Sequence, residues 1–256
     1  MDWLYSFAGL AVGLLVGMTG VGGGALMTPL LVMGFNIPPI VAVGTDLLFA
    51  AATKTVGTMT HGWQGTVQWK IVGLLAAGSL PATLLTLNYL AELQLQTEAL
   101  NDLINFTLGI ALFLTASLLI IRERIVKYLQ QHPRKQNPKT TALLTILSGV
   151  GSGILVTISS IGAGAIGIVI LSVLYSRLST VKIIGTDIAH AVPLTLIAGI
   201  GHFQLGSVDT NLLTWLLVGS IPGVYIGSRL SQKLPEKTVR VVLASILFGV
   251  SIKLMA

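Results

Sequence analysis

The chain has 256 residues, of which 53% are hydrophobic and only 9% charged, with a mean hydropathy of +0.87 and a formal net charge of +6. A soluble domain carries about 25% charge, so both a water-facing fold and a disordered chain are excluded. The absence of cysteine removes disulfides, thiolate metal sites and thiol catalysis.

In chain order, apolar runs cover 3–35, 37–60, 71–90, 103–121, 140–176, 183–202, 211–228 and 238–255. Roughly 20 apolar residues cross a bilayer as a helix. No period-2 alternation points to a barrel, so an all-α, polytopic membrane protein is expected. The opening Met1-Asp2-Trp3 lacks the basic start and cleavage site of a signal peptide, and the first run is read as part of the mature protein. Runs 3–35 and 140–176 are too long for one crossing. Each is expected to be a broken helix or a hairpin, with breaks at Thr19–Gly24 and Ser159–Gly164. Between 121 and 140, Arg122, Arg124, Lys127, Arg134, Lys135 and Lys139 form a basic stretch, read as a cytoplasmic loop. That clustering argues against a nucleic-acid partner and for the lipid bilayer.

The sequence repeats itself. Val43-Gly44-Thr45-Asp46 recurs as Ile184-Gly185-Thr186-Asp187, His61 and Gly65 as His202 and Gly206, and Gly78-Ser79-Leu80-Pro81 as Gly219-Ser220-Ile221-Pro222. Upstream, Gly22-Gly23-Gly24-Ala25 matches Gly162-Ala163-Gly164-Ala165. One transmembrane domain over 1–256 is therefore expected, with repeat 1 at 1–121, a basic loop at 122–139 and repeat 2 at 140–256. At matched loops the positive charge changes sides. Asn36–Pro39 is uncharged where its counterpart has Arg177 and Lys182. The loop with Glu92, Glu98 and Asp102 matches one with Arg229, Lys233, Lys237 and Arg240. Two inverted-topology repeats follow, an architecture common among secondary transporters. Both termini are expected outside.

Four glycines in Gly20–Gly24 break a helix. Unpaired N–H groups and a helix N-terminus at such a break attract anions, and close packing of small residues is the alternative. Gly22, Gly23, Gly24, Gly162 and Gly164 are therefore candidate substrate contacts. The Gly-Thr-Asp segments read as helix starts capped by Thr and Asp, or as Thr45 and Thr186 lining a path with Asp46 and Asp187 titrating. Lys54, eight residues after Asp46, is a cation deep in an apolar run and needs a carboxylate or a bound anion. His190 shares a face with Asp187, which suits either a proton relay or a polar pair. His61 and His202 stand near helix ends, as interfacial residues or as proton carriers. No catalytic constellation, metal cluster or cofactor motif is present, so an enzyme is not expected.

The glycine-rich break, the Gly-Thr-Asp segments, the His-x-x-x-Gly pairs and Gly219-Ser220-Ile221-Pro222-Gly223, duplicated over nearly the whole chain, resemble the TauE/SafE sulfite exporter family. The resemblance implies an inner-membrane permease for sulfite, organosulfonates or related sulfur-containing anions, and the repeat, the broken helices and the buried cations lead to an expectation of coupling to protons. An anion channel and a membrane scaffold without flux are the other readings.

Overall fold

The computed structural model describes residues 2–19, 24–92, 98–131, 137–230 and 236–255. Among these residues the structure is helical, with no strand. The helices in chain order are α1 (Asp2–Thr19), α2 (Gly24–Phe35), α3 (Pro39–Trp63), α4 (Trp69–Glu92), α5 (Glu98–Gln131), α6 (Pro138–Ser159), α7 (Ala165–Leu174), α8 (Thr180–Gln204), α9 (Thr210–Leu230) and α10 (Glu236–Met255). Among the described residues, six helices (α3, α4, α5, α6, α8 and α9) are long and apolar enough to cross a membrane. Their outer faces carry apolar side chains: Leu85 is 71% exposed, Ile221 68% and Phe106 58%. A soluble protein buries such residues, whereas lipid accepts them. The chain is a multi-pass helical membrane protein.

The run 140–176 is interrupted where expected, whereas the break expected in run 3–35 falls on residues 20–23, outside the described residues. α6 ends at Ser159 because Ser160 turns left-handed (φ 58°), and α7 begins after Gly164 (φ 131°). Ser159 Oγ accepts from the Ile161 N–H, which holds the turn locally. With ten residues α7 is about 15 Å long, half the hydrocarbon thickness.

Two expectations change. Gly44-Thr45-Asp46 and Gly185-Thr186-Asp187 lie inside helices, more than one turn from either start, and do not cap them. Pro38-Pro39 opens α3, since proline suits a helix's first turn, and Ser179 is the N-cap of α8. The basic stretch is also not all loop. α5 continues through Arg122, Arg124 and Lys127 to Gln131, and helical spacing keeps Arg122 on the inward face with Thr115 and Leu119.

Equivalent helices pack in equivalent ways. α1 lies against α9 in parallel, with Gly9 over Leu216 and Gly13 over Ser220. α6 lies against α4 in parallel, with Gly149 over Leu75 and Gly153 over Ser79, the same positions in the other copy. A Cβ on Gly13 would stand 2.6 Å from the Ser220 carbonyl oxygen and one on Gly153 3.0 Å from Ser79 Cα, so the backbones meet in close contact.

The central pair, α3 and α8, runs antiparallel. Gly44 faces His202, Gly199 faces Leu48, Gly57 faces Ile188, and Gly185 faces His61. As one number rises the other falls. These helices are each other's equivalents, so their antiparallel course is consistent with two inverted copies. The midpoint of the contact run lies near Ala52–Thr53 on α3 and Pro193–Leu194 on α8, beside Lys54 and its counterpart Thr195.

Candidate functional site

The polar residues of α3 and α8 divide into two sets. One set latches the copies together. Thr45 Oγ1 accepts from the Asp209 N–H at 3.1 Å, and Thr186 Oγ1 accepts from the Gln68 N–H at 3.0 Å. Each hydroxyl thus satisfies an N–H just ahead of the first turn of a helix in the other copy, a group no helix bond supplies. Thr186 also donates to the Lys182 carbonyl at 2.6 Å.

His61 and His202 belong to the same latches. Nδ1 of His61 lies 2.9 Å from Thr66 Oγ1, and Nδ1 of His202 lies 3.0 Å from Ser207 Oγ. Gly65 (φ 65°) and Gly206 (φ 72°) supply the left-handed residue that each turn needs. A Cβ on Gly185 would meet His61 Nδ1 at 3.0 Å, and one on Gly44 would meet His202 Cβ at 3.1 Å. His202, fully buried, also donates through Nε2 to the Thr157 carbonyl at 2.9 Å.

The second set is ionisable and central. Asp46 is fully buried and Asp187 is 3% exposed. Each faces the N-terminal part of its own copy's short helix. Thr28 on α2 donates its hydroxyl to Asp46 Oδ2. Asp187 lies against the Gly164 N–H, and its carboxylate fills the space that a Cβ on Gly167 of α7 would take. A helix N-terminus is where a carboxylate is best accommodated. Ser160 Oγ stands near Asp46 without a formed hydrogen bond, and Asp46 Oδ1 has no hydrogen-bond partner among the described residues. The break at 160–164 therefore runs between the two aspartates.

Lys54, 7% exposed, is in electrostatic reach of both Asp187 and Asp46. Its place near the midpoint of the α3–α8 pair accounts for that double reach. Among the described residues it has no hydrogen bond and no ion pair within 4.0 Å. An ammonium at membrane depth is costly without a counter-charge, and the two carboxylates are the charges that act on it. His190, three residues after Asp187, also feels Lys54, but its ring Nε2 pairs with Ser79 Oγ of α4 at 2.9 Å.

Arg122 is the residue that reading the sequence missed. Assigned to a loop, it is 8% exposed and reaches Asp187 electrostatically. The signal was the spacing Leu108, Leu112, Thr115, Leu119, Arg122, which keeps one helix face going past the apolar run. Of the glycines singled out, Gly22 and Gly23 lie outside the described residues. Gly24 opens α2, and Gly162 (φ 132°) and Gly164 shape the break. Among the described residues no group of three or more His, Asp or Glu side chains is placed to hold a metal ion.

A profile of the family described as "Sulfite exporter TauE/SafE" matches residues 5–254. The chain is 40% identical over 248 residues to "Probable membrane transporter protein YjnA" of Bacillus subtilis, covering 96% of this chain and 97% of that protein. It is 31% identical over 240 residues to "Probable membrane transporter protein YdhB" of the same organism, covering 93% and 91%. A "Probable membrane transporter protein" of Xylella fastidiosa is 28% identical over 231 residues, covering 88% of this chain and 83% of that one. No solved structure matches the chain.

Proposed function

We propose that this chain, which belongs to the sulfite exporter TauE/SafE family, carries small sulfur-containing anions such as sulfite or organosulfonates and couples their movement to protons. That it is a membrane transporter follows from the family and its relatives. The observation that supports an anionic substrate is the buried Lys54, which lies between two equivalent aspartates and has no hydrogen bond or close ion pair among the described residues. A small oxyanion supplies the partner that the ammonium lacks, through charge-assisted hydrogen bonds.

Asp46 and Asp187 are the proton carriers in this reading. Each is a carboxylate inside the membrane, one in each copy. His190, His61 and His202 are further polar groups on the same two helices. Two inverted copies with short half-helices meeting at one site give a means of opening that site to either side in turn. A carrier working this way turns over far more slowly than an anion channel.

Export of radiolabelled sulfite and methanesulfonate from vesicles tests the reading. Flux that depends on the protein and on a pH gradient is expected. Absence of flux across a panel of sulfur oxyanions would remove the substrate class, and flux indifferent to the pH gradient would remove the coupling.

A further inference from the structure

Asp187 sits in surroundings built for an anion. Lys54 reaches it from α3 and Arg122 from α5, and both cations are more than nine-tenths buried. The Gly164 N–H at the start of α7 points at it, and the bare Cα of Gly167 leaves the space that its carboxylate oxygen fills. Two cations, a helix N-terminus and a glycine cradle are what a small oxyanion requires. Lys54, with no hydrogen bond among the described residues, acts on the same place through its charge.

We infer that the Asp187 carboxylate occupies the seat of the transported anion and competes with it for Lys54, Arg122 and the N-terminus of α7. The inference rests on the proposed anionic substrate and deepens it. With Asp187 ionised, the seat is filled by the protein's own carboxylate. When that carboxylate takes a proton, its claim on both cations ends and an oxyanion takes its place. Each anion bound then brings one proton onto Asp187, and each anion released returns it.

The other groups around Asp187 do not replace it in this role. His190, on the same helix, is tied to Ser79. α7 brings no titratable side chain, and the charged residues of α4 and α6 (Lys70, Glu92 and Lys139) are exposed. Asp46 on α3 shares Lys54 but is held by Thr28, and Arg122 is not among the charges that reach it.

The test is calorimetric titration of the purified full-length protein with methanesulfonate, an anion of a strong acid that does not itself titrate near neutrality. Between about pH 5.5 and about pH 8.5, wild-type affinity is expected to fall about tenfold per pH unit where Asp187 is ionised. Repeating the titration in buffers of different ionisation enthalpy should show one proton taken up per anion bound. Asp187→Asn should bind with no pH dependence and no proton uptake, at the affinity the wild type reaches only at low pH. A wild type that binds with no pH dependence or no proton uptake overturns the inference, as does a folded Asp187→Asn that binds no anion or keeps the slope. If Asp187→Asn does not fold, the wild-type proton count alone decides. Failure of methanesulfonate, sulfite and sulfate all to bind the wild type at any pH would instead remove the anionic substrate itself, and the inference with it.

Discussion

Replacing Lys54 with methionine separates its part in the fold from its part in binding. No ion pair with Lys54 is closer than 4.0 Å among the described residues. At 4 Å and an effective dielectric of about 20, a unit pair is worth about 4 kcal/mol, so each aspartate contributes no more than that. Against this gain stands the cost of burying an ammonium, itself several kcal/mol. The two nearly cancel, and methionine fills the same volume. Thermal unfolding of Lys54→Met should therefore lie within about 2 kcal/mol of wild type. Binding is different, because a hydrogen bond to a charged group contributes about 1.5–3 kcal/mol. Loss of that contact should weaken anion affinity about 10- to 150-fold. The assay is uptake of radiolabelled sulfite and methanesulfonate into liposomes holding the purified protein, read as half-saturation and rate, beside a melting curve. A Lys54→Met protein that melts normally and transports with unchanged half-saturation would refute the reasoning.

Other consequences are open to simpler measurement. Gly13→Ala and Gly153→Ala place a Cβ against the facing helix at equivalent crossings, and each should cost about 1–3 kcal/mol in detergent unfolding. Gly73→Ala, with nothing within 4 Å of the new methyl group, should cost nothing measurable. His202→Ala removes partners from the buried Thr157 carbonyl and Ser207 hydroxyl and should destabilise by about 2–4 kcal/mol. His61→Ala, half-buried and with one such partner, should lose less in the same melting experiment. The chain has no cysteine, so single substitutions Asn36→Cys and Arg177→Cys can be labelled with an impermeant reagent. They should react from opposite sides of the membrane, and labelling from one side would exclude inverted copies.

Much of the architecture was legible because lipid makes sequence speak in long words. Apolar runs gave the spans, and the excess length of run 140–176 gave its break. The displacement between Gly44-Thr45-Asp46 and Gly185-Thr186-Asp187 gave the pairing of copies. What those motifs do was less legible. A Gly-Thr-Asp triplet resembles a helix start because the same side chains satisfy N–H groups there. Here the threonines satisfy N–H groups ahead of helices in the opposite copy, a contact across 118 and 164 residues that no local pattern encodes. Arg122 was hidden for the opposite reason. A charge after an apolar run looks like the end of a span, and only the periodicity of the preceding turns shows it facing inward.

The latches between Thr45 and Asp209, and between Thr186 and Gln68, have the form of an interface between two identical subunits, where residue i touches j and j touches i. In a homodimer of that kind every residue beside the two-fold axis comes twice, so a cation at the centre would face its own copy and repel it. Fusing the copies into one chain lifts that constraint. Lys54 on one side and Thr195 on the other put a single positive charge where symmetry would allow two or none. The tandem arrangement is thus what permits an odd charge at the heart of an otherwise even molecule.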